Sequence, residues 1–322
     1  MTRKIIVRKL FYALLTILVV LVFNYILFRV LPGNPLNMMM RNPRATPETI
    51  AAVKEFYGLD QPWYIQFFTY FKHLLTGDLG VSFVYKAPVA DVLAQKILPT
   101  VLMVGLAEIV AIVVGIFLGI LAAWKRGTKL DVATLSFSLV TYSVPTFWLG
   151  MILVVIFCVQ LRIFPTSGMF TPGKSFPTTF AMLQDLFMHL ALPVLTMSLV
   201  LIGEYALTMR NTLMDVLSED YITTARAKGF RERYILKKHA LPNAMLPMIT
   251  IIAINVGFVV AGAIQVETIF SWPGLGRLMY EALRARDYPL LQGVFLLVTV
   301  SVVLANVLAD ITYSYIDPRV KN

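Results

Sequence analysis

The stretch PTVLMVGLAEIVAIVVGIFLGILAAW, residues 99–124, contains one ionisable residue, Glu108, and is otherwise almost entirely apolar. A transmembrane helix needs roughly 20 consecutive apolar residues to cross the hydrocarbon core of a bilayer, so this stretch predicts a membrane-spanning helix. The whole chain has the same character, because 58% of its 322 residues are hydrophobic and only 14% are charged. Its mean hydropathy of +0.75 excludes an ordinary soluble domain.

Five further segments are apolar over a comparable length. The first follows the basic tail MTRKIIVRK and has no small-residue cleavage site after it, so we expect an uncleaved signal anchor. The fold class predicted is an all-α membrane protein with six transmembrane helices. The six predicted spans are 10–31, 99–124, 132–161, 186–209, 244–266 and 289–312.

The distribution of Lys and Arg predicts the orientation, because basic loops are retained in the cytoplasm. The N-terminal tail, residues 125–131, residues 210–243 and the C-terminal tail are richer in basic residues than the longer loops 32–98, 162–185 and 267–288. We therefore expect both termini to be cytoplasmic. The formal net charge of +10 is explained by this topology and by anionic lipid headgroups, and it requires no nucleic acid as a partner.

The string GMFTPGKS, residues 168–175, matches the spacing of a phosphate-binding P-loop. Such a loop binds phosphate only where a strand leads into it and a helix follows it. Pro172 and Pro177 interrupt the region, and it lies on the predicted outer side, away from cytoplasmic ATP. We expect a turn-rich loop rather than a nucleotide site.

The cytoplasmic loop 210–243 contains SEDYITTARAKGF, which has the signals of a complete short helix. Ser218 is the predicted N-cap, and Gly229 is the predicted C′ residue that ends the helix. A second helix is predicted for 231–239, ended by LPN at 241–243. The first helix is either a docking element for another protein or an interfacial helix that lies on lipid.

The segment DYITTARAKG, followed by LP, resembles the EAA loop of bacterial ABC-importer permeases. Ala225, Gly229, Leu241 and Pro242 match the general pattern, whereas Thr223, Thr224 and His239 replace its glutamate, first alanine and isoleucine. The form found here is that of the dipeptide, oligopeptide and nickel branch. The motifs GLDQPW, LLTGDLGVSF, FWLG, FPTSG, FSWPGLGRL, RDYPLLQG and DPRV extend the resemblance over nearly the whole chain. The long first loop is similar to that of a B-type permease.

The resemblance implies a type I importer permease in a bacterial inner membrane. Residues 1–31 would be the tail and first helix, 32–98 an extracytoplasmic, partly helical loop region, and 99–322 the permease core. The subunit would be non-catalytic and bind no cofactor. Its implied partners are a C-type permease, two P-loop ATPase subunits that bind ATP and Mg, and an extracytoplasmic substrate-binding protein. The cargo would be di- or oligopeptides, with oligosaccharides and nickel chelates as alternatives.

The resemblance also implies that the short loop helix couples the permease to its ATPase. Ala225 and Ala227 would allow close approach, and Arg226 and Lys228 would pair with acidic groups of the ATPase. The implied coupling residues are Asp220, Tyr221, Ala225, Arg226, Ala227, Lys228, Gly229, Leu241 and Pro242.

Polar residues inside spans are costly and require a reason. Glu108, Asn255 and Asn306 are candidates for the translocation path, and Glu108 is equally explained by a structural hydrogen bond between helices. Glu204 and Asp310 are expected near the cytoplasmic ends of their spans, at the membrane interface.

Two helices are predicted in the first loop, at 47–57 and 61–76, the latter ended by Gly77. The second helix carries aromatic residues that fit either a bilayer interface or contact with the binding protein or its cargo. The candidates are Trp63, Tyr64, Phe67 and Phe68.

Other features predict packing rather than chemistry. Ala111, Gly115, Gly119 and Ala123 recur every four residues and form a small-residue face for close helix packing. Pro145 predicts a kink in the third span. Cys158 is interpreted as a small buried hydrophobe, and no metal site is indicated.

Two other function classes are weaker alternatives. An intramembrane hydrolase needs a Ser/His or paired Asp constellation, which the spans do not contain. A self-sufficient secondary transporter usually has internal repeats or broken helices at the midplane, and no repeat is evident.

Overall fold

The computed structural model describes residues 3–30, 46–48, 51, 54 and 61–316, and these are built of helices joined by loops. Within these residues, an isolated bridge between Val81 and Pro88 is the only strand-like pairing. The α-helices are α1 (Arg3–Val30), α2 (Trp63–Leu75), α3 (Val89–Trp124), α4 (Lys129–Ser143), α5 (Thr146–Leu153), α6 (Thr179–Leu217), α7 (Asp220–Ala227), α8 (Glu232–Ile235), α9 (Leu241–Phe258), α10 (Ile264–Ile269), α11 (Leu275–Ala285) and α12 (Tyr288–Ile316). Two π-helical segments, Val154–Gln160 and Leu236–Ala240, and a 3₁₀ turn, Val259–Ala261, adjoin them.

Five helical segments in the described part of the chain are long and apolar enough to cross a membrane. They are α1, α3, α6, the run Glu232–Ile269 and α12, and the bent pair formed by α4 and the helix Thr146–Gln160 makes a sixth if it counts as one span. The predicted all-α membrane fold is therefore confirmed. The predicted loop helix at 61–76 is α2, which ends as predicted at Gly77 with φ +76°. Of the predicted helix at 47–57, residues 47, 48, 51 and 54 are helical and the others lie outside the described residues.

Two spanning helices extend well beyond the predicted spans. Helix α3 begins at Val89 rather than at Pro99, and α6 covers Thr179–Leu217 rather than 186–209. Hydropathy measures the apolar part of a helix, whereas backbone hydrogen bonding continues into its polar ends. Pro99 is accommodated inside α3, and the indole nitrogen of Trp272 donates to its carbonyl oxygen at 2.9 Å. This contact ties the loop before α11 to α3, whereas the acceptor that the proline ring frees inside the helix is the carbonyl of Gln95, one turn earlier.

The third predicted span is broken, not merely kinked. The axes of its two halves meet at 101°, with Pro145 at the start of the second half. The residue before a proline avoids the α conformation, and Val144 is accordingly extended, with ψ 129°. The kink predicted at Pro145 in the span 132–161 is therefore located correctly, but the structure shows a full break there.

The fifth predicted span, 244–266, is also interrupted. Helix α9 ends at Phe258, and after the 3₁₀ turn Gly262 takes a left-handed conformation with φ +77°. A Cβ atom at Gly262 would lie 2.8 Å from the backbone nitrogen of Gly276. The chain therefore needs glycine here, both to turn and to pass close to the start of α11.

Helices α3 and α6 pack backbone to backbone. A Cβ atom on Gly115 would lie 2.6 Å from Cβ of Tyr205, and one on Gly119 would lie 2.6 Å from Cβ of Met209. Ala111 is fully buried on the same face. The predicted small-residue face is confirmed, and it allows the backbones of α3 and α6 to meet directly.

Helix α4 is fastened to the other side of α6. A Cβ atom on Gly203 would lie 2.6 Å from the carbonyl oxygen of Ser138. Further along, the guanidinium of Arg210 donates to both carboxylate oxygens of Asp131, at 2.6 and 3.0 Å. Helices α3, α4 and α6 thus form one close-packed unit, here called the first block.

A second close contact joins α9 to α12. A Cβ atom on Gly257 would lie 2.9 Å from Cβ of Ala305, and α12 also packs against α1. We call α1, α9 and α12 the second block. Helices α6 and α9 meet through larger side chains, including Met209 and Met248.

Three buried carboxylates fix the loops at the end of the molecule opposite α7. Asp185 accepts from the backbone of Thr171 at 2.8 Å, and Asp287 accepts from the Ser82 hydroxyl at 2.6 Å. Glu267 is fully buried and accepts from the hydroxyl of Thr100 at 2.9 Å. Each carboxylate joins residues from separate elements and so holds the loops at this end against the helices.

The close packing of the first block predicts a difference between two glycines of α3. Gly119→Ala should destabilise the protein by about 1–3 kcal/mol because the new methyl group meets the α6 backbone. Gly105→Ala is the matched control, since nothing lies within 4 Å of its Cβ position. Thermal unfolding in detergent measures the difference, and equal melting temperatures for the two variants would contradict the packing.

Candidate functional site

Helix α7 and the residues that follow it form the predicted coupling element. The helix covers Asp220–Ala227 and is preceded by Glu219, not by a Ser218 cap as predicted. Ser218 instead ends α6, where its hydroxyl donates to the carbonyl of Asp215 at 2.7 Å. Helix α6 continues to Leu217, so Ser218 is already engaged at its C-terminus.

The predicted C-terminal stop of α7 is confirmed. Gly229 has φ +82°, and its backbone nitrogen donates to the carbonyl of Arg226 at 2.9 Å. Phe230 then donates to the carbonyl of Ala225 at 3.3 Å. Only glycine reaches this left-handed conformation without a steric cost.

One face of α7 is buried within the chain itself. Ile222 is fully buried and Ala225 is 5% exposed. They belong to a hydrophobic cluster with Leu213 of α6 and Ile235 of α8. Ala225 thus supports the helix from beneath, and the close approach of a partner at Ala225 and Ala227 stays a prediction.

The opposite face of α7 is exposed. It carries two cationic side chains, two small or polar positions and an aromatic ring, and it includes Asp220, Tyr221, Arg226, Ala227 and Lys228. Arg226 is already paired, since its guanidinium donates to the Glu232 carboxylate at 2.9 Å. An acidic partner would therefore meet Lys228 directly and would compete with Glu232 for Arg226.

The second loop helix does not end at LPN. Helix α8 continues through the π-helical segment Leu236–Ala240 into α9, with Pro242 in the first turn of α9. A proline is tolerated at the start of a helix, and the widened π turn lets the chain continue through it. Leu241 is partly buried and Pro242 is exposed. The predicted coupling element is thus continuous with a membrane-spanning helix.

A second contact links α7 to this junction. The side-chain amide of Asn243 donates to the hydroxyl of Tyr221 at 3.1 Å and to the carbonyl of His239 at 2.8 Å. The ring of His239 stacks on Phe230, with centroids 6.0 Å apart. Segments with π-helical geometry often lie at functional sites.

Inside the membrane region, Glu108 belongs to a polar link between three helices. The hydroxyl of Tyr205 on α6 donates to the carboxyl group of Glu108 on α3. The amide of Asn255 on α9 donates to the same hydroxyl at 3.0 Å. Tyr205 is fully buried and Glu108 is 4% exposed. This arrangement supports the structural explanation of Glu108, and its contribution to a translocation path stays a prediction.

Of the other intramembrane polar residues, Glu204 adjoins this link through a side-chain hydrogen bond with Asn255, whereas Asn306 lies elsewhere. Asn306 is exposed on α12 and does not belong to the link. Glu204 is partly buried beside Tyr205, and the side chain of Asp310 lies outside the described residues. Sequence analysis missed Tyr205, although a tyrosine next to a glutamate within an apolar span was a usable signal.

The aromatic residues of α2 divide between two faces. Phe67 packs on Tyr25 of α1, with ring centroids 5.1 Å apart, so it is an internal contact. Trp63 is 71% exposed, Phe68 is 69% exposed and Tyr64 is half exposed. The last three remain available to lipid or to a partner.

The P-loop-like string forms turns in a loop between helices. Gly168 and Gly173 have positive φ values of 88° and 72°, and no strand leads into the string. Lys174, which would contact phosphate in a P-loop, pairs with Asp185 at 3.0 Å. Among the described residues there is also no group of three His, Cys, Asp or Glu side chains arranged to hold a metal ion.

Comparison with known proteins gives matches over nearly the whole chain. Residues 115–322 match the family described as the binding-protein-dependent transport system inner membrane component, and residues 1–104 match the N-terminal region of such membrane components. The probable peptide ABC transporter permease protein y4tP of Sinorhizobium fredii is 36% identical over 98% of both chains. The glutathione transport system permease protein GsiC is 36% identical in Salmonella choleraesuis and 35% identical in Escherichia coli K12, again over 98% of both chains.

A solved structure shares the fold. A chain of the MetNI methionine ABC transporter, in an inward-facing conformation, superposes with a TM-score of 0.54 at 18% sequence identity. The match covers 70% of this chain and 96% of that one. The family match and the identity over nearly the full length show that the chain belongs to the binding-protein-dependent transport system inner membrane components, as a non-catalytic ABC importer permease of the peptide branch.

Proposed function

We propose that this protein is one of two permease subunits in an ATP-driven importer of di- or oligopeptides. The observation that carries the proposal is α7, a short exposed helix. It packs on α8, which continues into the spanning helix α9. In this account α7 docks on an ATPase subunit. A second, C-type permease completes the pore, and an extracytoplasmic binding protein delivers the cargo.

The packing of α7 supports this role mechanically. Its buried Ile222 contacts the hydrophobic cluster shared by α6 and α8, so a force on α7 acts on both blocks. The first block is held rigid by glycine contacts and by the pair formed by Arg210 and Asp131. The second block receives the force through α8 and α9. Displacement of α7 would therefore change the angle between the blocks.

ATP and Mg belong, in this proposal, to two partner ATPase subunits. The basic loop that contains α7 and both chain termini would lie in the cytoplasm, as the positive-inside rule predicts. The loops fixed by Asp185, Glu267 and Asp287 would then face the binding protein. The exposed Trp63 and Phe68 are available on that same side.

Peptides are the cargo that the similar proteins support best, because relatives over the full length are named for peptide and glutathione transport. Oligosaccharides and nickel chelates are the alternatives within the same machinery. A ligand screen on the cognate binding protein decides between them. A self-sufficient secondary transporter is the alternative of a different class, and it would transport without any ATPase.

Gly229→Val tests the coupling role. Nothing lies within 4 Å of the Gly229 Cβ position, so the substitution acts through the backbone alone. The left-handed conformation costs a residue with a Cβ atom about 1–2 kcal/mol. Valine should therefore shift the backbone out of it and misplace the outer face of α7. We expect roughly tenfold lower coupled transport, with the permease still in the membrane, and a smaller loss for Gly229→Ala.

Gly77→Val is the matched control. Gly77 also has a positive φ, +76°, and open space around its Cβ position, but it follows α2, outside the predicted coupling element. Substrate-stimulated ATPase activity and uptake in reconstituted vesicles measure the effect, with co-purification of the ATPase alongside. Full coupled transport by Gly229→Val, with the ATPase bound, would exclude α7 as the coupling element.

Glu108 should act through hydrogen bonding rather than charge. Glu108→Gln keeps an acceptor for the Tyr205 hydroxyl, so assembly and transport should persist. Glu108→Leu leaves that hydroxyl buried without its acceptor, at a cost of about 1–3 kcal/mol, and should reduce stability and transport. Tyr205→Phe should largely restore the stability of Glu108→Leu. Wild-type transport and stability in all three variants would show that the link is inert.

A further inference from the structure

A small cavity opens at the end of the molecule opposite α7. It has a volume of about 260 Å³ and lies between the start of α3, the loop before it and α11. Its polar walls are formed by Tyr85, Lys96, Arg277 and Glu281, and Gly274 forms part of the backbone wall. None of these residues belongs to the coupling element or to the link through Tyr205.

The acidic group in the wall is already engaged. Glu281 accepts from the hydroxyl of Tyr85 at 3.1 Å and from the guanidinium of Arg277 at 2.7 Å. Burial and the neighbouring Glu281 raise the pKa of Tyr85 to about 12, so its hydroxyl stays a donor at physiological pH. Arg277 also donates to the carbonyl of Ser271 at 2.6 Å. Glu281 therefore neutralises one cation of the cavity and no more.

Lys96 is the second cation, and its ammonium group makes no hydrogen bond or ion pair with any residue in the described ranges. Its side chain is partly buried on the first part of α3. A partly buried charge without a counter-charge is unfavourable. The cavity thus keeps one uncompensated positive charge and is suited to an anion.

The walls are rigid enough to form a site. The backbone nitrogen of Arg277 donates to the buried carboxylate of Glu267 at 2.8 Å, and that of Leu275 donates to the Thr100 hydroxyl at 2.7 Å. A Cβ atom on Gly274 would lie 2.5 Å from the carboxyl carbon of Glu267. The loop before α11 is therefore held against α3, so the backbone of the cavity wall is set by the fold.

The volume limits what can enter. Sites for whole small molecules usually measure about 300–1,000 Å³, so this cavity holds one charged end of a larger ligand. Every peptide with an unmodified C-terminus carries a carboxylate at one end. An acidic side chain of the binding protein has the same charge but belongs to a docked protein. A change at the C-terminus of the peptide affects only the peptide carboxylate and so distinguishes these two ligands.

We propose that this cavity is a subsite for the terminal carboxylate of an incoming peptide, with Lys96 as its counter-ion. The proposal rests on the proposed import of peptides. It assigns to the permease itself part of the selection between free-acid and blocked peptides.

The test compares trialanine with trialanine amide, which differ at the C-terminal group. The full complex is reconstituted in vesicles with its binding protein, and each peptide is supplied at a concentration that saturates that protein. Wild type should transport the acid faster than the amide. Lys96→Gln should lower transport of the acid by about tenfold, the value of one charge-assisted hydrogen bond, and leave the amide nearly unchanged.

Two further variants complete the design. Lys96→Arg keeps the charge and should restore preference for the acid. Lys72→Gln, which removes an exposed lysine of α2 outside the cavity, should behave as wild type. Equal losses for acid and amide in Lys96→Gln would indicate contact with the binding protein or a structural role, and would overturn the proposal. An unchanged preference for the acid in Lys96→Gln would overturn the proposal as well.

The same experiment tests separately whether the cargo is a peptide. If the wild-type complex transports neither probe and its binding protein binds no peptide, the peptide assignment fails and the subsite fails with it. If wild type transports both peptides at equal rates, peptide import stands and the subsite is excluded.

Discussion

The backbones of α3 and α6 approach so closely that a Cβ atom cannot be placed on Gly115 or Gly119 without meeting α6. Contacts of this kind carry the association of helices in membranes, where lipid is as apolar as the side chains. Since α4 is held to α6 through Gly203 and the pair formed by Arg210 and Asp131, three helices are fixed together. If α7 transmits movement from an ATPase subunit, as we propose, the close packing inside this block directs that movement to its boundary with α9.

That boundary is built differently from the interior of either block. Larger side chains separate α6 from α9, and the hydroxyl of Tyr205 joins Glu108 to Asn255 across it. Hydrogen bonds between membrane helices contribute about 1 kcal/mol or less, so this link can break and reform in each transport cycle. In the proposed mechanism the continuous helix from α8 into α9 is the lever, and the π-helical segment lies near the end of the loop 210–243.

The sequence predicted the features that depend on local or periodic signals. Apolar length located the spans, the spacing of Gly115 and Gly119 located the close helix contact, and Gly229 located the end of α7. Features decided by tertiary contacts were missed. The LPN string reads as a helix stop, but the π turn and the buried Ile235 keep the helix continuous through Pro242. Ala225 has the size of a contact residue, and only the fold shows that it faces inward.

The relative movement of the two blocks is tested most directly by spin-label distances. In a Cys158→Ser background, labels on exposed Asn211 of α6 and Thr250 of α9 report across the boundary, and labels on Asn211 and Leu130 of α4 report within the first block. The full complex is compared with and without ATP. We expect the distance between the labels on α6 and α9 to shift on ATP addition, while the distance between the labels on α6 and α4 stays constant. A shift within the first block, or none across the boundary in a complex that hydrolyses ATP, would contradict it.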